Sequence, residues 1–80
     1  MTHVPHELQE EFPEAGEALH RLKVENAHFA KLANEYHAVN REIHRIESEV
    51  EAASDERVEA LKKRRLTLKD EIAGLIGAAA

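Results

Sequence analysis

Apolar side chains recur along the first half of the chain with a period of seven residues, and polar or charged residues fill most positions between them. They occupy the first and fourth positions of successive heptads. The members of this first seam are Leu22, Phe29, Leu32, Tyr36, Val39, Ile43, Ile46 and Val50. Such a pattern is typical of a long helix that packs lengthwise against another helix. It therefore predicts an all-α, coiled-coil-like protein.

Pro13 suits the first turn of this helix, where its missing N–H costs no hydrogen bond. After Gly16, neither proline nor glycine interrupts the pattern before Gly74. The heptads themselves lapse near residues 52–54, so the sequence predicts a first helix over residues 13–51, about 58 Å long. A short turn over residues 52–54 should follow.

Ser54 or Asp55 is a suitable N-cap for a second helix, which is predicted over residues 55–76. This helix has a seam of its own, formed by Val58, Leu61, Leu68, Ile72 and Leu75. Gly77 is expected to act as the C-cap of this helix, and residues 77–80 are expected to fray. Residues 1–12 are expected to form an acidic extension, partly ordered or in a short helix.

Two helices joined by a short connection pack antiparallel, so the sequence predicts a long two-helix hairpin over residues 13–76. Arg65 occupies a seam position of the second helix. Folding the chain about residues 53–54 places Arg65 near Glu42, which makes these two residues a candidate seam ion pair.

The second helix is a little over half as long as the first, so it leaves Leu19 and Leu22 without a cover. Either Leu8 and Phe12 fold back over these leucines, or a second chain covers them. The second alternative is favoured, since a two-helix hairpin alone buries little apolar surface. The expected assembly is a homodimer that forms a four-helix bundle.

The composition narrows the class of protein. The 80 residues allow one small domain, and no apolar run approaches the roughly 20 residues that span a bilayer. There is no cysteine, and no signal peptide is evident. These features predict a cytoplasmic protein without disulfides and without contact with a membrane.

Several segments together resemble the YdcH family of small bacterial helical-hairpin proteins of unknown function. They include Phe12-Pro13-Glu14, Glu25-Asn26-Ala27-His28-Phe29 and Lys69-Asp70-Glu71-Ile72. The resemblance spans residues 12–76. It implies a bacterial helical hairpin, in agreement with the heptads, and it implies no particular reaction.

The sequence offers little for catalysis or metal binding. No two histidines of the first long helix have the i,i+3 or i,i+4 spacing that metal ligands on one face require. There is no cysteine, no glycine-rich phosphate loop and no Gly-x-Ser-x-Gly motif. We therefore expect no enzyme activity, no cofactor and no metal.

A basic run, Lys62 to Arg65, interrupts the otherwise acidic chain, whose net charge is −5. On a helix, only Lys63 and Arg64 of this run point clearly outward, and they are candidate partner contacts. The sequence favours a small self-associating interaction module that binds itself and an unidentified protein. The alternative is a regulatory factor that contacts RNA, DNA or the ribosome through the basic turn.

Overall fold

The computed structural model of the protein describes residues 6–79. Within that range the helices are α1 (Leu8–Glu11), α2 (Gly16–Glu25), α3 (Ala27–Glu47) and α4 (Asp55–Ala79), with a 3₁₀ turn at Pro13–Ala15 between α1 and α2. No strand occurs among these residues, and the all-α prediction is confirmed. The predictions for residues 1–5 and for Ala80 lie outside the described residues.

The long helices α3 and α4 pack side by side and run in opposite directions. Arg57, near the start of α4, reaches Glu42 of α3, whereas Arg64 reaches Glu35, which lies two turns earlier in α3. Leu68 and Ile72 of α4 are fully buried against the core. This packing is compatible with the predicted hairpin.

Asn26 interrupts the predicted helix over residues 13–51, so the prediction of one continuous helix is wrong. Its backbone is extended, with φ −125° and ψ 105°, and its side-chain Oδ1 accepts a hydrogen bond from the N–H of Phe29 at 3.0 Å. Asparagine is a preferred N-cap because its side chain satisfies one of the free donors of a new helix. The interruption separates α2 from α3, so no single helix reaches the predicted length of about 58 Å. The longest dimension of the described structure is 39 Å.

The end of α3 also differs from the prediction. Glu49 has a positive φ of 63°, and the N–H groups of Glu49 and Val50 donate to the carbonyls of Ile46 and Arg45, each at 3.0 Å. These two bonds form a Schellman motif, which ends the helix at Glu47. Val50 therefore leaves the seam and is 76% exposed.

The start of α4 lies where the sequence predicts it. Ser54 Oγ accepts a hydrogen bond from the N–H of Arg57 at 3.2 Å, which confirms the serine as an N-cap. The other end of α4 differs, since Gly77 stays helical and the helix continues to Ala79. Gly77 thus does not act as the predicted C-cap, because no glycine among the described residues adopts a positive φ.

One cluster of buried side chains joins the four helices. The side chains that form it come from α1, α2, α3 and α4: Leu8, Leu19, Phe29, Leu32, Ala33, Tyr36, Leu68 and Ile72. Phe12 and Leu22 are half-buried against it. Leu8 and Phe12 thus fold back onto the cluster that contains Leu19, as the first alternative expects, and Leu22 stays half-buried beside it. The interruption at Asn26 is what allows α2 to turn and meet Leu8 and Phe12. The homodimer stays a prediction.

Candidate interaction surface

Residues 6–12, called the arm below, lie across α2, α3 and α4. Leu8 is 3% exposed and joins the main core cluster, and Phe12 packs against the same cluster one helical turn later. The Lys69 Nζ atom lies 6.0 Å from the centroid of the Phe12 ring. Because these contacts bury apolar surface, the arm is an integral part of the fold rather than a loose extension.

Polar contacts hold the arm at both of its ends. The Tyr36 hydroxyl donates to the backbone carbonyl of His6 at 2.5 Å, and Glu7 Oε2 lies 2.6 Å from His37 Nδ1. Near the other end, Glu11 Oε2 lies 3.6 Å from Lys69 Nζ. The core thus presents an imidazole and an ammonium group where the arm presents carboxylates, and Lys69 is complementary in charge to Glu11.

A groove of about 510 Å³ remains beside the arm, between it and α2. Its walls combine apolar side chains, among them Leu8, Phe12 and Leu19, with His20 and Lys23 of α2. The arm therefore covers the apolar face incompletely on this side.

Among residues 6–79, no group of three or more histidine, cysteine or acidic side chains could hold a metal ion.

Tyr36 is the fully buried polar aromatic beneath the arm. Burial away from water, together with the negative charge of Glu11, raises the pKa of its hydroxyl to about 12, and Arg65 opposes this rise. The hydroxyl consequently keeps its proton, and with it the ability to donate, in the alkaline range where an exposed tyrosine ionises. Its ordinary pKa is 10.0.

This raised pKa predicts a loss of stability in alkaline solution. Between pH 10 and 12 the unfolded chain releases the Tyr36 proton while the folded chain retains it, so the free energy of unfolding falls as pH rises. The loss should approach about 2–3 kcal/mol by pH 12 and should be absent below pH 10. Chemical denaturation of the wild type and of Tyr36→Phe across this range would measure it. An equally steep decline in the phenylalanine variant would contradict the assignment to Tyr36.

The predicted seam divides into three classes by exposure. The buried members are Phe29, Leu32, Tyr36, Ile43, Leu68 and Ile72. The half-buried members are Leu22, Val39, Ile46, Val58, Leu61 and Leu75, and Val50 is exposed. Most of the seam thus packs within the chain.

The ion pair predicted between Arg65 and Glu42 does not form, because each residue takes another partner. Arg65 Nη1 donates to Oδ1 of Asn40 at 2.9 Å, and Asn40 is 1% exposed. Glu42 pairs with Arg57 instead. Asn40 and Glu42 are two residues apart and so point in nearly opposite directions from α3. Arg65 meets the inward side chain, while Arg57 reaches the outward one.

Lys63 and Arg64 are exposed, as the sequence predicts, but each lies beside an acid. Lys63 Nζ lies 3.6 Å from Glu59 Oε1, one turn earlier on α4, and Arg64 bonds to Glu35 across the helix interface. The preceding residue, Lys62, pairs with Glu47 at 3.2 Å. These carboxylates neutralise the basic turn locally.

A family model described as "Protein of unknown function (DUF465)" matches residues 29–76. The matched range contains most of α3 and most of α4, and it leaves out the arm and α2. Searches of curated proteins and of solved structures found no match. None of the helices described between residues 6 and 79 has both the length and the apolar character needed to cross a bilayer.

Proposed function

The chain belongs to DUF465, the family of small YdcH-like proteins of unknown function, and we propose that it is a non-enzymatic helical interaction module. It associates with itself and with a protein partner through the apolar face of the α3–α4 pair. The absence of cysteine and of nucleotide-binding or nucleophile motifs supports a binding role in a reducing cytoplasm.

One observation carries the proposal: the part that matches the family is a helix pair, and side chains outside the match cover its apolar face. Leu8 of the arm and Leu19 of α2 close that face over Phe29 and Tyr36. A pair of helices leaves such a face open unless a further helix packs on it. The α3–α4 pair is therefore suited to receive helices, some from its own chain and others from a partner.

The alternative function, contact with RNA, DNA or the ribosome through Lys63 and Arg64, receives less support. Glu59 and Glu35 already pair with these two side chains. The chain as a whole carries a charge of −5, which opposes approach to phosphate. A phosphate would compete with these acids for both basic side chains.

Sedimentation equilibrium over a wide range of protein concentration tests the proposal. We expect the wild-type mass to rise from 9.0 kDa toward twice that value. Leu22→Asp should weaken association at least about tenfold, since it places a charge on α2 where that helix packs against the core cluster. Lys63→Glu/Arg64→Glu should stay within about twofold of the wild type.

Circular dichroism of Leu22→Asp provides the control, because lost association has meaning only if the helices are retained. A wild-type mass that stays at that of one chain up to about millimolar concentration would contradict self-association. Binding of RNA that decreases steeply with salt and is lost in the Lys63/Arg64 variant would favour the alternative function.

A further inference from the structure

We propose that dimers form by exchange of the arm, in which residues 6–12 of one copy bind the α2–α4 surface of a second copy. The inference rests on the proposed self-association and names the segment that performs it. The partner is then a second copy of this chain, and the segment that it contributes is its own arm. The surface beneath the arm is the binding site.

The contacts of the arm define what this surface recognises. Leu8 and Phe12 lie one turn apart on the arm and supply its apolar contacts to the core. Glu7 and Glu11 lie beside them on the same spacing and face His37 and Lys69. The surface thus selects a short acidic segment whose apolar and acidic side chains repeat every four residues. The arm of a second copy has this pattern because the two copies have the same sequence.

Exchange replaces each contact of the arm by an identical contact, so the difference between monomer and dimer depends on the hinge. The hinge is Phe12–Ala15, where the backbone of Phe12 lies outside the regular helical and extended regions, at φ −129° and ψ 64°. Neither the 3₁₀ turn, whose N-cap is Phe12, nor α2, whose N-cap is Ala15, has a side-chain cap hydrogen bond. No side-chain cap therefore fixes this joint, and the chain can extend there.

The groove between the arm and α2 lowers the cost of release. The arm buries Leu8 almost completely but leaves about 510 Å³ of space along its side, so it lacks close packing there. A segment held by a short hinge has an effective concentration in the millimolar range, which favours the monomer in dilute solution. Exchange should therefore become prominent only as the protein concentration approaches that range.

A pair of complementary full-length variants tests the exchange. Glu7→Lys/Glu11→Lys gives a basic arm, and His37→Glu/Lys69→Glu gives an acidic receiving surface. Each variant alone repels its own arm, both within the chain and in a homodimer. Mixed together, each arm meets a surface of opposite charge. With one chain isotopically labelled, native mass spectrometry should show the heterodimer at least about tenfold above either homodimer.

The matched control is Glu14→Lys/Glu17→Lys, which has the same net charge as the basic-arm variant but alters exposed acids outside the arm. Mixed with the acidic-surface variant, it should give no such enrichment. Equal enrichment in this control, or none in the complementary pair, would overturn the exchange. Wild-type dimers measured in the same series would still stand in that case, so failure of the exchange is distinguishable from failure of self-association.

Discussion

Ile43→Ala should lower the free energy of unfolding by about 2–5 kcal/mol, because Ile43 is 1% exposed and its truncation leaves a cavity. Val50→Ala, one heptad later, should change it by no more than about 0.5 kcal/mol, since Val50 is 76% exposed. Urea denaturation followed by far-UV circular dichroism measures both. The two residues are equivalent in the heptad pattern, but Ile43 lies within α3, whereas Val50 belongs to the Schellman motif that ends it.

Similar losses for the two variants would contradict the placement of Val50 outside the seam. They would show instead that α3 continues past Glu47 and that Val50 packs against α4 or against another copy. Repeating the measurement at several protein concentrations separates these outcomes, because only an intermolecular contact makes the loss depend on concentration.

Leu8→Ala should lower the free energy of unfolding by about 2–4 kcal/mol, a large effect for a residue in a helix of only four residues. Leu8 is 3% exposed and packs in the same cluster as Leu19 and Phe29. Gln9→Ala, at the next position and exposed, should have little effect. Denaturation of the two variants beside the wild type gives the difference.

The loss in Leu8→Ala has an upper limit, because the arm can open while α3 and α4 stay folded. Once opening is cheaper than global unfolding, further damage to the arm no longer changes global stability. Hydrogen exchange reports this directly: the Phe12 amide, bonded to the Leu8 carbonyl at 2.9 Å, should lose protection while α3 amides keep theirs. Unchanged protection at Phe12 would show that Leu8 does not hold the arm.

The heptad pattern predicted which faces of the long helices pack together, but not where each helix is continuous. Phe29, Tyr36, Leu68 and Ile72 are buried as the pattern requires, because burial follows from helical periodicity. The break at Asn26 arises because its side chain caps the next helix. Asparagine is also tolerated within a helix, so its presence alone did not predict the break. Its signal was present in the sequence as a preferred N-cap residue.

The end of α3 gave no comparable signal. The residue with positive φ in a Schellman motif is usually glycine, whereas here it is Glu49, for which this conformation is uncommon. The position of this turn depends on where α4 has to start in order to pack against α3. Tertiary packing thus decided the turn, and the local sequence offered only Ser54 as a correct marker.

The candidate interaction surface was only partly predictable. Leu8 and Phe12 could be recognised as one of two covers for Leu19, and the choice between them depended on whether the first helix was straight. Glu7, His37 and Lys69 could not be paired from the sequence, because the turn of the chain at Asn26 sets which carboxylate meets which base. The exposure of Lys63 and Arg64 followed from helical geometry, but their acidic partners did not.

The position of the arm has a consequence for the order of folding. α3 and α4 are neighbours in the chain and meet through a short connection, whereas Glu11 must find Lys69 near the far end of α4. Contacts that close long loops form late, after local ones have nucleated. The helix pair should therefore assemble first and bind the arm after the main barrier, so that damage to the arm accelerates unfolding and leaves the rate of folding nearly unchanged.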